Sequence, residues 1–436
     1  SIAEDGPAAE VYRISPNEPW RIVRTRWRIS GVVPGMVEGG GRVSGYFTGA
    51  TGATIYRGNA YGPEFVDNAF VGDAGGNLVH RKILSPNGVA LTAKRPADEQ
   101  NLEFIASRDT WFRPVHFQNA PDGCLYVVDM YREVIEHPWS IPEAIKKHVD
   151  LNSGHDRGRI YRIVPENFVQ PKPPKLGSAT IGQLVANLDS ANGWTRDTAA
   201  RLLFERQDRH AVPELNALYA RTKSALTRIH VLYALQGLFA LDPNLLLTAL
   251  ADVDPRVREH ALRLAEPMLA GARSGGVAEK VLTMSRDLAP RVRYQLALTL
   301  GEVRSPARGA ALAELIRVDA NDPQMRAAVL NSLTDGAGEV FATLVRDVRF
   351  RAQPGSEEFL RQLVEMIGVR NNYADARPVL EFAAKPDPAA PVALWVRALG
   401  DGAVRDAGAG DDQGVEGACV LAGLLGQRRG GGQQRR

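Results

Sequence analysis

RDTWFRPVHFQNAPDGCLYVVDMYREVIEHPWSIP, residues 108–142, joins a strand-building pattern to a dense set of chemically able side chains. Pro121-Asp122-Gly123 is a tight-turn signal, and Cys124-Leu125-Tyr126-Val127-Val128 behind it is a β-rich run apolar enough to demand burial. Asp129, Tyr131, Arg132, Glu136 and His137 follow as the run leaves its sheet. Strand exits are where a rigid scaffold presents working groups, so the segment reads as one wall of a ligand pocket. If the strand continues past Asp129, Tyr131 and Arg132 point to opposite faces, and only half of the set can share one pocket.

On either side of this segment, short runs such as Glu10–Ile14, Trp20–Val23, Leu78–Leu84 and Gly158–Val164 alternate apolar with polar residues, the period of a strand. Asp73-Ala74-Gly75-Gly76-Asn77 and Ser85-Pro86-Asn87-Gly88 punctuate them as hairpin turns. Residues 1–165 are therefore expected to form about three or four propeller-type blades of about 40 to 50 residues each. Closed propellers have about four to eight blades, so the expectation is the C-terminal part of a β-propeller with at least two blades missing and sheet edges exposed.

Residues 166–180 read as a linker, because Pro171, Pro173 and Pro174 hold the chain extended and deny backbone donors. Beyond it the period changes. Arg196, Arg228, Arg258, Arg293 and Arg326 each open an apolar helical stretch, at intervals of 32, 30, 35 and 33 residues. Asp254-Pro255 and Asp322-Pro323 each supply a capping side chain followed by proline at the first helical position. Helix pairs repeating at this length predict an α-solenoid of HEAT-like repeats over residues 181–398, in which the recurrent arginine is a structural partner for neighbouring helix caps. From residue 399 to 436 glycine, alanine, glutamine and arginine dominate without period, which predicts a disordered tail.

At 436 residues the chain is long for one compact domain and suggests two or three. Its 53 basic and 50 acidic residues leave a net charge of +3, too balanced to imply nucleic acid as the main partner. Two cysteines, Cys124 and Cys419, cannot build a disulfide framework or a four-ligand metal site, and Cys124 reads as a small apolar filler. No stretch reaches the roughly eighteen apolar residues of a membrane span. The chain opens without a charged-then-apolar leader and reads as a fragment, so the sequence leaves its compartment open.

The wording of several runs resembles a known family. Thr54-Ile55-Tyr56-Arg57-Gly58, Asp67-Asn68-Ala69-Phe70-Val71, Asn77-Leu78-Val79-His80-Arg81, Trp111-Phe112-Arg113-Pro114-Val115, Asp129-Met130-Tyr131-Arg132, Ile135-Glu136-His137-Pro138 and Gly158-Arg159-Ile160-Tyr161-Arg162-Ile163 resemble the dehydrogenase-like proteins abundant in planctomycetes and their relatives. These join a propeller of the glucose/sorbosone-dehydrogenase type to HEAT repeats and often to a cytochrome c domain. The likeness covers roughly residues 40–165, and the helical half by architecture alone. Two departures stand out: Gly52-Ala53 occupies a turn where a cysteine is expected, and Cys-x-x-Cys-His is absent. The resemblance implies a fragment of a quinone-dependent sugar or alcohol dehydrogenase, inactive alone and extracytoplasmic, either periplasmic or membrane-associated. It implies pyrroloquinoline quinone and calcium in the full protein, haem only from a domain supplying Cys-x-x-Cys-His, a cytochrome as electron acceptor and a protein partner on the solenoid.

Candidate residues follow from chemistry and position. Asp129, Tyr131 and His137 are candidates for catalysis, since a histidine beside a carboxylate such as Glu136 titrates near neutral pH and passes protons. Arg113, Arg132, His80 and Arg81 are candidates for cofactor binding; the Arg113 guanidinium is either a planar fork offered to a quinone or carboxylate oxygen, or one half of a buried ion pair with Asp109 or Asp129. A metal set of Glu136, His137, His148 and His155 lacks any recognised short spacing, so no metal site is expected. A second reading, from a different class, is a non-catalytic carbohydrate- or protein-binding scaffold.

Overall fold

The computed structural model describes residues 10–269, 276–370 and 372–384. A region of antiparallel sheet is followed by a helical region, and the chain divides into two compact units at Leu238 and Phe239.

The first unit holds eight strands among the described residues: β1 (Ala50–Ile55), β2 (Ala69–Asp73), β3 (Leu78–Asn87), β4 (Ala90–Lys94), β5 (Ile105–Ala106), β6 (Pro114–Asn119), β7 (Leu125–Asp129) and β8 (Arg159–Ile163). Strands β1 to β4 run as an antiparallel meander, and β5 pairs with the start of β3. Strand β3 serves two partners in turn, pairing with β2 through residues 78–82 and with β4 through residues 83–87. A second sheet consists of β6, β7 and β8. Tyr56, Phe70, Val79, Phe112, Phe117, Leu125 and Val127 close into one apolar cluster drawn from both sheets. Each such side chain contributes roughly 1.5–3 kcal/mol by leaving water, which makes this cluster an apolar support shared by the two sheets. The Thr51 hydroxyl also donates to the Pro114 carbonyl at 2.6 Å.

The turn at Pro121-Asp122-Gly123 forms as its sequence requires. Gly123 sits at φ +85°, and Gly58 lies against it so closely that a Cβ there would fall 2.0 Å from the Gly123 carbonyl oxygen. The Tyr56 hydroxyl donates to that same oxygen at 2.7 Å. Two expected strands do not form. Glu10–Ile14 contributes a single isolated bridge, between Glu10 and Tyr46, and Trp20–Val23 lies inside helix α1, Pro19–Ile29. Pro19 occupies the first helical position, where its missing N–H costs nothing. The face this helix buries is Arg21 and Arg24, so a test that looks for apolar periodicity misreads it.

Helix α2 (Glu143–Lys146) precedes β8; α3 (Ile181–Asn187), α4 (Gly193–Arg206), α5 (Ala211–Arg221) and α6 (Ala225–Gly237) complete the first unit. The start of α4 is fixed to the β-region: Gly193 N–H donates to the Arg57 carbonyl at 2.8 Å, the Asn192 amide donates to the Ala120 and Pro121 carbonyls, and Arg57 forks onto Asp197. Between strands and helices, residues 166–180 run without a regular element until the short turn Leu176–Ser178, whose Leu176 is buried.

The second unit comprises α7 (Pro243–Ala249), α8 (Pro255–Leu269), α9 (Val277–Leu282), α10 (Pro290–Thr299), α11 (Arg308–Asp319), α12 (Pro323–Ser332), α13 (Ala337–Val345), α14 (Val348–Arg351), α15 (Ser356–Arg370) and α16 (Tyr373–Ala384). The expected tail 399–436, with Cys419, lies outside the described residues, as does the end of the expected helical region beyond Ala384. Asp322 caps α12 by accepting from the Gln324 and Met325 amides, and Asp254 accepts from the Arg256 amide at the start of α8. Asp242-Pro243 repeats the device at α7.

The recurrent arginine has one structural job in both units. Its guanidinium donates to the carbonyl six residues back: Arg196 to Ser190, Arg228 to Thr222, Arg258 to Asp252, Arg293 to Asp287 and Arg326 to Ala320, at 2.6 to 3.3 Å. The guanidinium thus holds the turn that leads into its own helix. For two of these arginines the other edge of the fork grips a later segment, Arg258 on Asp287 at 2.7 and 2.8 Å and Arg293 on Asp319 at 2.6 and 2.7 Å. Asp287 therefore receives Arg258 on its carboxylate and Arg293 on its carbonyl, which chains the rungs together. Removing a buried fork leaves a carboxylate and carbonyls unpaired, so Arg293→Met is expected to lower stability by about 2–3 kcal/mol. Urea unfolding checks this; a loss below about 0.5 kcal/mol, the size of a surface substitution, contradicts the assigned role.

Candidate functional site

The exit of β7 is built around two buried groups. Asp129 ends the strand with its carboxylate almost wholly buried, and one oxygen accepts from the Arg113 amide at 2.7 Å and the Tyr131 amide at 2.8 Å. Its second oxygen is buried without a partner. Burial pushes this carboxyl above its ordinary range, against the lowering effect of the two amides. The strand does not continue beyond Asp129. Tyr131 adopts φ +51°, and its ring lies under the Arg159 guanidinium, 3.6 Å from carbon to ring centroid.

Arg113 is fully buried. Its guanidinium donates to the carbonyls of Arg132 (2.9 Å), Ala74 (2.9 Å) and Glu133 (2.7 Å), and to Glu18 Oε1 at 3.2 Å. Every face of the fork meets protein. The buried ion pair expected with Asp109 or Asp129 is made instead with Glu18, 95 residues away in sequence. Glu18 also meets Arg13 at 2.9 Å and Arg21 at 3.3 Å. Burial alone would raise its carboxyl, but Arg21, Arg13 and Arg113 hold it down at about 2. Arg21 in turn grips Glu136 at 2.6 Å, so helix α1 is tied by charge to the segment that follows β7.

The other candidates stand apart from this cluster. His80 and Arg81 are neighbours on β3, and both are buried, where alternation in an open sheet would have exposed one. His80 Nδ1 meets Glu103 Oε2 at 2.7 Å; Arg81 pairs with Glu99 at 2.8 Å and Asp98 at 3.3 Å and lies over the Phe65 ring. Glu103 is itself buried, yet hydrogen bonds from His80, Arg95 and the Tyr12 amide outweigh burial and lower its carboxyl. His137 is exposed and accepts from the Trp139 amide at 3.1 Å, capping the short turn Pro138–Ser140. Arg132 is half-buried and keeps one buried nitrogen, Nη1, without a partner.

The structure therefore gathers Arg113, Asp129, Tyr131 and Arg132 at one strand exit and places His137, His80 and Arg81 elsewhere. As a quinone site the expected set does not fit: Arg113 is turned wholly onto protein carbonyls and a carboxylate, His80 Nδ1 and Arg81 are turned onto carboxylates, and the buried nitrogens left over, Arg132 Nη1 and His80 Nε2, belong to separate elements. Among the described residues no group of three or more histidine, cysteine, aspartate or glutamate side chains is placed to hold a metal ion. Cys124 is a buried free thiol, pushed up by burial.

Glu18, Arg21 and Arg24 escaped the sequence reading. Their signal was present: Glu18-Pro19 marks a helix start, and Glu18, Arg21, Arg24 and Arg28 fall three, three and four residues apart on one helical face.

The chain is thus a sheet region with a buried charge network at its strand exits, followed by a helical region. A protein family described as a domain of unknown function, DUF7133, matches residues 3–167. No curated protein matches. Among solved structures the chain is similar to the X-ray structure of YibA from Escherichia coli, at 16% identity and a TM-score of 0.35, covering 58% of this chain and 98% of that one.

The depressed Glu18 carboxyl sets a pH dependence. A group whose folded pKa lies below its unfolded value adds stability above the unfolded pKa, and that stability fades as pH falls through the folded one. For Glu18 the window runs from 4.5 down to about 2. Glu18→Gln is expected to destabilise the chain at neutral pH and to flatten its loss of stability within that window, measured by urea unfolding at stepped pH. Equal slopes for variant and wild type contradict the network.

Proposed function

We propose that this chain is a non-catalytic, protein-binding scaffold: the C-terminal blades of a β-propeller carried on a solenoid of HEAT-like repeats, with the helical turns as docking surface. The observation that carries this reading is the inward turn of the charged side chains. Arg113, His80 and Arg81 hold the sheets together, and the recurrent arginines hold the helical turns together, which commits most of the expected enzymatic set to structure. Val253 and Leu288, each five residues before a recurrent arginine, are 92% and 94% exposed. Apolar side chains at equivalent turns of successive repeats suit a partner that lies along the stack.

A second reading is a fragment of an extracytoplasmic quinone-dependent sugar or alcohol dehydrogenase. One observation favours it: the buried Asp129 carboxyl with an unpartnered oxygen and a raised pKa, the environment of a general base. The two readings part in one experiment. Calorimetric titration of the full-length protein that would carry this fragment, with pyrroloquinoline quinone in calcium, is expected to give no heat, and its dye reduction with sugars or sugar alcohols is expected to stay at background. Saturable quinone binding together with dye reduction that Asp129→Asn abolishes would overturn the scaffold in favour of the enzyme.

A further inference from the structure

Helix α1 buries more cation than the surrounding carboxylates neutralise. Arg13, Arg21, Arg24, Arg28 and Arg113 face Glu18, Glu136 and the half-exposed Glu38. Of the two further buried acids nearby, Asp73 is occupied by the amides of Thr48, Gly49 and Gly75, and Asp129 accepts from the Arg113 and Tyr131 amides and keeps its second oxygen unpartnered. On helix α1 itself the buried side-chain atoms without a partner are all donors: Trp20 Nε1, Arg21 Nη2, Arg24 Nε and Arg28 Nε. The Arg21 and Arg24 guanidinia both lie over the Trp20 ring, 5.0 and 5.1 Å from its centroid, and both reach toward the same Glu136 oxygen, at 2.6 and 4.0 Å. Arg24 is 4% exposed, and its contact with a carboxylate is the long one.

A buried donor without an acceptor costs about 1–3 kcal/mol, more for a charged group. Four on one helix, none of them met by a carboxylate or carbonyl oxygen, describe a site that lacks an acceptor. We propose that the Trp20, Arg21 and Arg24 face of α1 binds a small oxyanion, phosphate or carboxylate, which accepts from these donors and balances the excess charge. Guanidinium forks and an indole N–H suit a planar or tetrahedral oxyanion with several acceptor oxygens. The donors have no solvent contact in this arrangement, so the anion enters as an adjoining element moves aside. The turn Glu38–Gly41, which meets the helix at Arg28, is the candidate for that element: Gly39, Gly40 and Gly41 lie at φ +52°, +67° and +87°, Gly39 packs on the ring of Tyr46, and Glu38 is held through a 3.4 Å contact to Arg28. This inference rests on neither functional reading.

Thermal melts of the full chain in sodium phosphate, and separately in citrate, against sodium chloride at matched ionic strength test it. A saturable rise in Tm with either anion is expected, with apparent affinity about tenfold weaker in Arg24→Met, the loss of one charged hydrogen bond. Arg26→Met, an exposed position on the same helix without a carboxylate partner, is expected to keep the full rise. The stronger of the two anions identifies the phosphoryl or the carboxylate source. No rise beyond chloride with either anion, or an undiminished rise in Arg24→Met, overturns the site. If Arg24→Met does not fold, hydrogen exchange of the wild-type chain decides: phosphate or citrate slows exchange across residues 20–46 if the site exists, and leaves it unchanged if it does not.

Discussion

The buried guanidinium of Arg113 is the constraint around which the sheet region is arranged. Withdrawing such a cation from water costs several kcal/mol even after relaxation, and only a complete set of acceptors in good geometry offsets that. Here the four acceptors come from three separate places: Glu18 before the first helix, the carbonyl of Ala74 in the β2–β3 turn, and the carbonyls of Arg132 and Glu133 beyond β7. None of these is optional once Arg113 is buried. The chain must therefore bring its amino-terminal helix, one hairpin turn and one strand exit to a single point, which no local propensity would require.

Asp129 completes the arrangement through the backbone. By accepting from the Arg113 and Tyr131 amides it fixes both the start of β6 and the turn after β7, and the positive φ of Tyr131 is held there by that bond and by the Arg159 guanidinium over its ring. The helical region uses arginine differently. Each recurrent guanidinium stays close to its own helix, on a carbonyl six residues back, and those of Arg258 and Arg293 also reach a carboxylate 29 and 26 residues onward. The sheet region solves one burial problem once, with long-range partners; the helical region solves a smaller one repeatedly, with near neighbours.

That difference explains what the sequence disclosed. Local devices were legible: the Asp-Pro starts of α8 and α12, the Pro121-Asp122-Gly123 turn, and the arginine period with its structural role. So were β3, β7 and β8 to within a few residues, because their apolar runs are strong. The placement of Arg113 and Asp129 side by side was also legible, since a hairpin joins them. What sequence could not supply was the identity of distant partners, such as Glu18 for Arg113 and Glu103 for His80, because a carboxylate carries no mark of the cation it will meet. Helix α1 was lost for a related reason: its inward face is charged, so the rule that buried faces are apolar gave the wrong period.

The same reasoning bears on side chains that look catalytic. His80 and Glu103 form a pair that, on a cleft wall, would pass for an acid–base couple. Here the carboxylate also holds the Tyr12 amide and Arg95, so its charge is already committed to joining the amino-terminal stretch to β3. A proton moved onto Glu103 would weaken three contacts at once, and its lowered pKa reflects that resistance. Chemistry needs a group whose two protonation states lie close in free energy at the working pH; a hub needs one state strongly favoured. By that criterion Glu18 and Glu103 are hubs, and Asp129, with one oxygen left unpartnered and its carboxyl raised by burial, is the acid at these strand exits whose charged form is least favoured.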